Sequence, residues 1–587
     1  MKFNPKVFAA FVIVLTYPLG AHGNGLENLE SDYADGIITL QQALELKALM
    51  LTDPQSLPEK YALDEPLRDG TLLALEILQN QAILDQGFKE RFPTILTRVN
   101  KQAYYDSPLG LFRIHFDTTG GHAVYQPEVD INPPDGTPDY VNRTAEYFDL
   151  AWIYICDTLG YDTPPYDSDR GGGMDLYDVY MHHYSGAYGV TFSEFSSNQR
   201  PGRNYDYCSY IYVDPTYNGF GYNDRTLPMK VTSAHEFFHA VQFAYNVNAG
   251  GWYMENCATW MEDILWDDIN DNYAYLSLFM NNVHRPLTTA NGGFEYGAFV
   301  WPMFLYENWG HDFIRTSWEF CINSNAVAAL ELTCDQYGTI LEEQYIIFSL
   351  WNYLTGFRDD GNHYEEGSAY TTARTMRAHT AYPVENQTTF LPPTALACNY
   401  ILFSNTGQEG DLEIVFDGDD SDLWYNQIIK ATSNSSHVYD VMELDIANYG
   451  LYVVEDFGQF DWVAMATDLI IGSGANYLYS ARLFPTGIDD PSNRIPSEFV
   501  LRGNYPNPFN GSTSIQLHST AEQTVNLTVY DILGGKILDR DYFVVAGENR
   551  LKFEMENTGH SKNASGIYFF RLASGQSEQH GNMLYLK

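Results

Sequence analysis

One stretch restricts this chain more than any other: Thr232-Ser233-Ala234-His235-Glu236-Phe237-Phe238-His239-Ala240-Val241-Gln242. Helical residues four apart project from one face, about a turn apart. His235 and His239 can therefore share one Zn²⁺, with Glu236 beside it as a base for a bound water. The spacing predicts a helix from near Pro228, a favoured first-turn residue, to about Asn246, ahead of Gly250-Gly251. Its buried stripe would be Ala234, Phe238, Val241 and Tyr245, with His235, His239 and Gln242 on the adjacent one. A plainer reading competes: Ser233 and Glu236 also fit a capping box, with the histidines merely packed.

The third ligand decides the class. A metzincin would carry Gly and His where this chain has Gln242 and Tyr245, so that class is excluded. Downstream runs Trp252-Tyr253-Met254-Glu255-Asn256-Cys257-Ala258. This segment resembles the W-x-x-E-x-x-A motif of gluzincin metallopeptidases, in which the Glu completes the zinc site. The resemblance implies His235, His239 and Glu255 as metal ligands, Glu236 as the catalytic base, and a fourth position left for water. Thermolysin-like enzymes carry an Asp four residues beyond the third ligand, and here Thr259 stands there. Glu262, seven after Glu255, faces the same way. It is either the partner behind a zinc histidine or the ligand itself. The exopeptidase signature of aminopeptidases is missing, which favours an endopeptidase. Tyr296 is the nearest candidate for an oxyanion-stabilising tyrosine, against a role in core packing.

Both ends of the chain bear on location. Lys2 and Lys6 precede an apolar run from Val7 to Leu15 and small residues to Gly23, the pattern of a secretory signal peptide over 1–23. At the other end stand Asn504-Tyr505-Pro506-Asn507-Pro508-Phe509-Asn510, Val529-Tyr530-Asp531-Ile532-Leu533-Gly534 and Ser565-Gly566-Ile567-Tyr568-Phe569-Phe570. Residues 496–587 resemble the C-terminal sorting domain of type IX secretion cargo. That implies passage through the periplasm and then, by the type IX machinery, to the cell surface or beyond. No later stretch is long and apolar enough to span a bilayer, so no integral membrane segment is expected in the mature form.

The 587 residues include 76 acidic against 32 basic, a formal charge of −44. Nucleic acid is thereby an improbable partner, since phosphate binding needs clustered Lys and Arg. Surplus carboxylates could supply Ca²⁺ sites. The clearest cluster, Asp130 to Asp139 around Gly136, lacks EF-hand spacing and reads better as an Asx/Pro turn. Six cysteines in an exported chain permit three disulfides, and Cys321 and Cys334 are the closest pair in sequence.

The remaining patterns give an α+β chain. Residues 24–100 carry two helical patterns, over Ile38–Leu51 and from Leu72 onward, and would be either a prosegment that occludes the site or a scaffold. No cysteine precedes Cys156, so a thiol from this region cannot latch the metal. Residues 101–378 would form the zincin-type domain with its helical subdomain. His182 and His183, neighbours on a strand, point to opposite faces and are structural. An antiparallel β-sandwich over 379–484, a linker over 485–495 and the sorting sandwich over 496–587 complete the expectation. The function expected is a secreted zinc endopeptidase acting on protein or peptide substrates. The alternative is a surface adhesin or binding protein on a catalytically degenerate zincin fold.

Overall fold

A computed structural model describes residues 25–63, 67–172, 175–184, 187–472, 476–484, 499–532, 534–555, 565–575 and 577–586. The expected signal peptide and the expected linker lie outside the described residues. The architecture is α+β, with one mixed sheet among helices and four further sheets C-terminal to it.

Strands β1 (Ala103–Asp106), β2 (Phe112–Phe116), β3 (Tyr177–Met181), β4 (Gly189–Ser196) and β5 (Tyr207–Val213) form the first sheet, in the order β1-β2-β3-β5-β4. β2, β3 and β5 run parallel, and the two edge strands are antiparallel to their neighbours. The period-two alternation of strands sorts residues between two cores. Val179, Met181, Ile211 and Val213 face one side, with the helix Thr226–Tyr245. Tyr180, Tyr210 and Tyr212 face the other side.

That other side is covered by the N-terminal region. Helices α1 (Gly25–Ala34), α2 (Leu40–Thr52) and α3 (Thr71–Gln79) pack Leu29, Leu44, Met50 and Ile77 against Val190, Phe192 and the tyrosines. α2 begins at a capping box in which Thr39 and Gln42 satisfy each other's backbone donors. Arg98 pins the end of the region to the sheet through Asp167 and Glu194, at 2.6 and 2.7 Å.

The helix Thr226–Tyr245 starts seven residues before Ser233, whose hydroxyl donates to the Lys230 carbonyl at 2.7 Å. Ser233 is therefore no cap. From Val231 to Tyr245 every residue is buried, so the expected pair of stripes becomes a helix enclosed on all sides. After a turn closed by Gly250, at φ +130°, the helix Gly251–Trp266 packs back against it. Six further helices follow between Tyr273 and Tyr353, including Ala326–Tyr337, which the sequence pattern had not signalled.

Two five- and four-stranded sheets between Thr375 and Phe484 enclose a separate core that includes Ile401, Phe403, Ile414, Phe416, Ile428 and Met465. The expected purely antiparallel pairing needs correction. Thr375–His379, arriving from the helices, pairs in parallel with Ala397–Ser404. The outer face of the five-stranded sheet (Tyr400, Ile429, Ala464) joins the core of the helical region. A three- and a four-stranded antiparallel sheet between Phe499 and Tyr585 form the last sandwich. Gly534 sits in a turn at φ +78°, while Gly566 opens a strand rather than turning one.

The expected disulfides are not formed. All six cysteines are free thiols and buried. Cys257, Cys321 and Cys334 lie within helices, and burial pushes each thiol up, to about 12 for Cys321 and Cys334. The acidic turn behaves as the Asx reading expects. Asp130 accepts from the amides of Asp135 and Gly136 at 3.0 and 2.9 Å, and Asp139 from Ile131 and Asn132 at 2.7 and 2.9 Å. His182 stacks on His122 at 3.9 Å, and His183 bonds Asp214 at 2.5 Å, so the two neighbours do part company.

Candidate metal centre

The two enclosed helices bring His235, His239 and Glu255 to one point. His235 Nε2 and His239 Nε2 are 3.1 Å apart, and Glu255 Oε2 is 3.3 and 3.4 Å from them. The edge of a tetrahedron of zinc ligands is about 3.3 Å. The far side of each imidazole is occupied. His235 Nδ1 lies 2.6 Å from Glu262 Oε1, and His239 Nδ1 lies 2.8 Å from Gln242 Oε1. Gln242 in turn donates to the Met254 carbonyl at 2.9 Å, which fixes its oxygen toward the histidine. With each Nδ1 engaged in this way, both Nε2 atoms are turned toward the Glu255 carboxylate. Glu255 is fully buried, and neither of its oxygens finds a hydrogen-bond donor among the described residues. Three groups able to ligate, converging at these distances, could hold a metal ion.

Glu262 meets His235 on its Nδ1 side and is not among the residues whose ligand atoms converge. Thr259, where thermolysin-like enzymes have an Asp, is buried and leaves its hydroxyl without a hydrogen-bond partner among the described residues. Glu236 leans toward β4. Its Oε2 accepts from Thr191 Oγ1 at 2.7 Å, and the same hydroxyl lies 2.9 Å from the Glu236 carbonyl. Gly189 is obligatory beside it, since a Cβ there would fall 2.4 Å from Glu236 Oε1.

A fourth residue was invisible in the sequence. Asp69, from the chain entering α3, reaches the same point, with Oδ2 3.7 Å from His239 Nε2. One ligand atom from each of Asp69, His235, His239 and Glu255 lies within 4.8 Å of every other, and all four residues are buried. Thr71 holds Asp69 in place through its amide and hydroxyl, both at 2.8 Å. No local pattern marks Arg68-Asp69-Gly70 as part of a site that lies 166 residues further along the chain.

Burial dominates the electrostatics. It holds the Glu236 carboxyl well above the usual carboxylate range, and the adjacent Asp69 adds to this. Burial pulls His239 below its ordinary value, which suits a neutral ligand. For His235 burial acts the same way, but the carboxylates of Glu255 and Glu262 outweigh it and raise the imidazole. Tyr296 is also here. Its hydroxyl lies 3.4 Å from the Asp69 carbonyl, and its ring centroid is 6.4 Å from that of His235.

Comparison with known proteins decides the far end of the chain. Residues 504–584 match the secretion system C-terminal sorting domain. The chain is type IX cargo. Its destination is the cell surface or the extracellular space, and no described helix is long and apolar enough to cross a membrane. No curated protein matches the chain. Among solved structures, the chain is similar to a GH2 β-galacturonidase from Eisenbergiella tayi at 11% identity and a TM-score of 0.15, over 32% of this chain and 35% of that one. It is similar to a β-glucuronidase from Parabacteroides merdae at 10% identity and a TM-score of 0.13, over 30% and 26%. The chain thus spans about a third or less of the length of these enzymes, and likeness at this level carries no argument about fold or activity.

Proposed function

We propose that this cargo is a secreted zinc-dependent endopeptidase of gluzincin type. The observation that carries the reading is the convergence of His235, His239 and Glu255 with their donor atoms inward, next to a buried Glu236. A zinc ion held by these three residues would polarise a water and a scissile carbonyl. Glu236 would take the proton of that water and return it to the leaving amine. Its raised affinity for protons suits the second step. Glu262 and Gln242 keep the Nδ1 protons of the histidines in place, so that the Nε2 atoms stay available. Tyr296 stands where its hydroxyl could donate to a carbonyl oxygen as it gains charge. β4, an edge strand beside Glu236, could pair with an extended peptide substrate.

Metal analysis and digestion of a peptide library test this, with Asp69→Ala run beside the parent because Asp69 crowds the metal position. About one zinc per chain, lost in His239→Ala, is expected. Glu236→Gln should keep the zinc and lose cleavage. A parent that binds no zinc, or a Glu236→Gln/Asp69→Ala protein that cleaves as Asp69→Ala does, overturns the proposal. Zinc binding without cleavage of any peptide would favour a binding protein instead.

A further inference from the structure

Arg68, Asp69 and Gly70 lie along the edge of the sheet where a peptide would. The amide of Tyr188 donates to the Arg68 carbonyl at 3.0 Å, and the amide of Gly70 to the Gly189 carbonyl at 3.2 Å. Asp69 therefore bridges β4 at its first residue, directly over Glu236. Tyr296 meets the backbone carbonyl of this same residue. Arg68 is buried as deeply as the metal ligands. Its guanidinium pairs with Glu262 and Asp271, and its ring neighbours are Tyr275 at 4.3 Å and Tyr188 at 5.6 Å. Tyr222 donates to the other oxygen of Asp271. The residue lines a cleft of about 840 Å³, together with Phe220 and Phe294.

We infer that Leu67–Thr71 is an internal occupant of the substrate site, with Asp69 as a fourth metal ligand and Arg68 in a subsite built for a basic side chain. The inference rests on the peptidase reading above, which it deepens in two ways. With four protein ligands the centre has no open position, so the chain as folded is latent. Once the segment is withdrawn, two buried carboxylates between two tyrosine rings are left to select a substrate carrying Arg, or Lys, beside the bond to be cut. A side chain without positive charge would leave Asp271 and Glu262 buried and uncompensated, which is the physical basis of the selection. The anchoring helices need not leave. α1, α2 and much of α3 pack on the opposite face of the sheet, and the contacts with the metal centre come from the crossing segment and the first residue of α3, Thr71.

Cobalt substitution of the full-length mature chain reads the ligand directly. Asp69→Asn and Asp69→Ala are expected to change the visible absorption of bound Co²⁺ and to weaken zinc retention against a competing chelator by about 10-fold or more. Unchanged spectra and unchanged retention in both variants overturn the fourth-ligand role. The subsite is read without catalysis, by calorimetric binding of an N-acetyl-arginyl dipeptide amide and its alanyl counterpart to Arg68→Ala/Asp69→Ala. At least 10-fold preference for the arginyl probe, abolished by adding Asp271→Asn, is expected. Equal binding of the two probes overturns the subsite. If the double variant fails to fold, Asp69→Asn with the cobalt readout still decides the occupancy. A changed spectrum and arginyl preference without peptide cleavage would support this inference while overturning the peptidase reading.

Discussion

Gly189→Ala should disable the base while leaving the metal. The new methyl would sit 2.4 Å from Glu236 Oε1, 2.6 Å from its Cγ and 2.7 Å from its Cδ. Comfortable contact needs about 3.5 Å, so the carboxylate must retreat by about 1 Å. It has nowhere easy to go, because Thr191 holds Oε2 at 2.7 Å and Glu236 is 1% exposed. A misplacement of about 1 Å is enough to cost roughly 100-fold in rate. Overpacking of this kind costs about 1–3 kcal/mol of stability. The three atoms nearest the methyl all belong to Glu236, so zinc content should stay near one per chain. The assay is hydrolysis of casein or a quenched peptide in the Asp69→Ala background, with metal analysis and thermal melts on the same preparations. Glu236→Gln in that background gives the comparison, and the two should lose activity to a similar degree. Full activity in Gly189→Ala, or loss of zinc together with activity, would refute the reasoning.

Gln242→Ala removes the acceptor for His239 and the donor to Met254 at once, leaving two buried groups unpaired at about 1–3 kcal/mol each. Zinc affinity should fall about 10–100-fold, measured by chelator competition, with a lower melting temperature even without metal. Asp468, buried on Trp462–Ile471 with Gln427 3.2 Å away, is raised by burial to about 7. An unfolded carboxyl titrates near about 3.9, so between these values the folded chain holds the proton more tightly. Stability from this group is therefore full at low pH and is lost as pH rises through about 7. Asp468→Asn should flatten that decline, seen as a smaller drop in melting temperature between about pH 5 and about pH 8. Finally, the six buried thiols should resist alkylation in the native protein and all react after denaturation, without added reductant. Any two of them consumed as a disulfide would contradict the fold.

The match between sequence and structure is uneven for reasons that particular residues make plain. His235, Glu236 and His239 were legible because a helix converts a fixed spacing into a shared face, whatever surrounds it. Glu255 was legible by resemblance, and the turn at Gly250 keeps it near in sequence. Glu262 could be narrowed to two roles but not to one, since a seven-residue spacing gives direction and not distance. The hydrogen bond to His235 Nδ1 favours the partner role. Gln242 was used only to exclude a class, although three residues after His239 it was well placed to hold that histidine. The cysteines misled because export and an even count argue for bridges, whereas six separate burial sites satisfy the thiols as apolar side chains.

By itself, then, the sequence determined the local chemistry: two imidazoles and a base on one helix, a nearby carboxylate, an acidic surface and the sorting sandwich at residues 504–584. Only the tertiary structure decided what faces that chemistry. Asp69 and Arg68 reach it because α3 packs behind β4 and carries the chain entering it across the sheet edge. Contacts of that kind depend on the packing of aromatic and aliphatic surfaces far from the site. No short spacing records them, so Thr71, 165 residues away in sequence, becomes a neighbour within hydrogen-bonding range of the base.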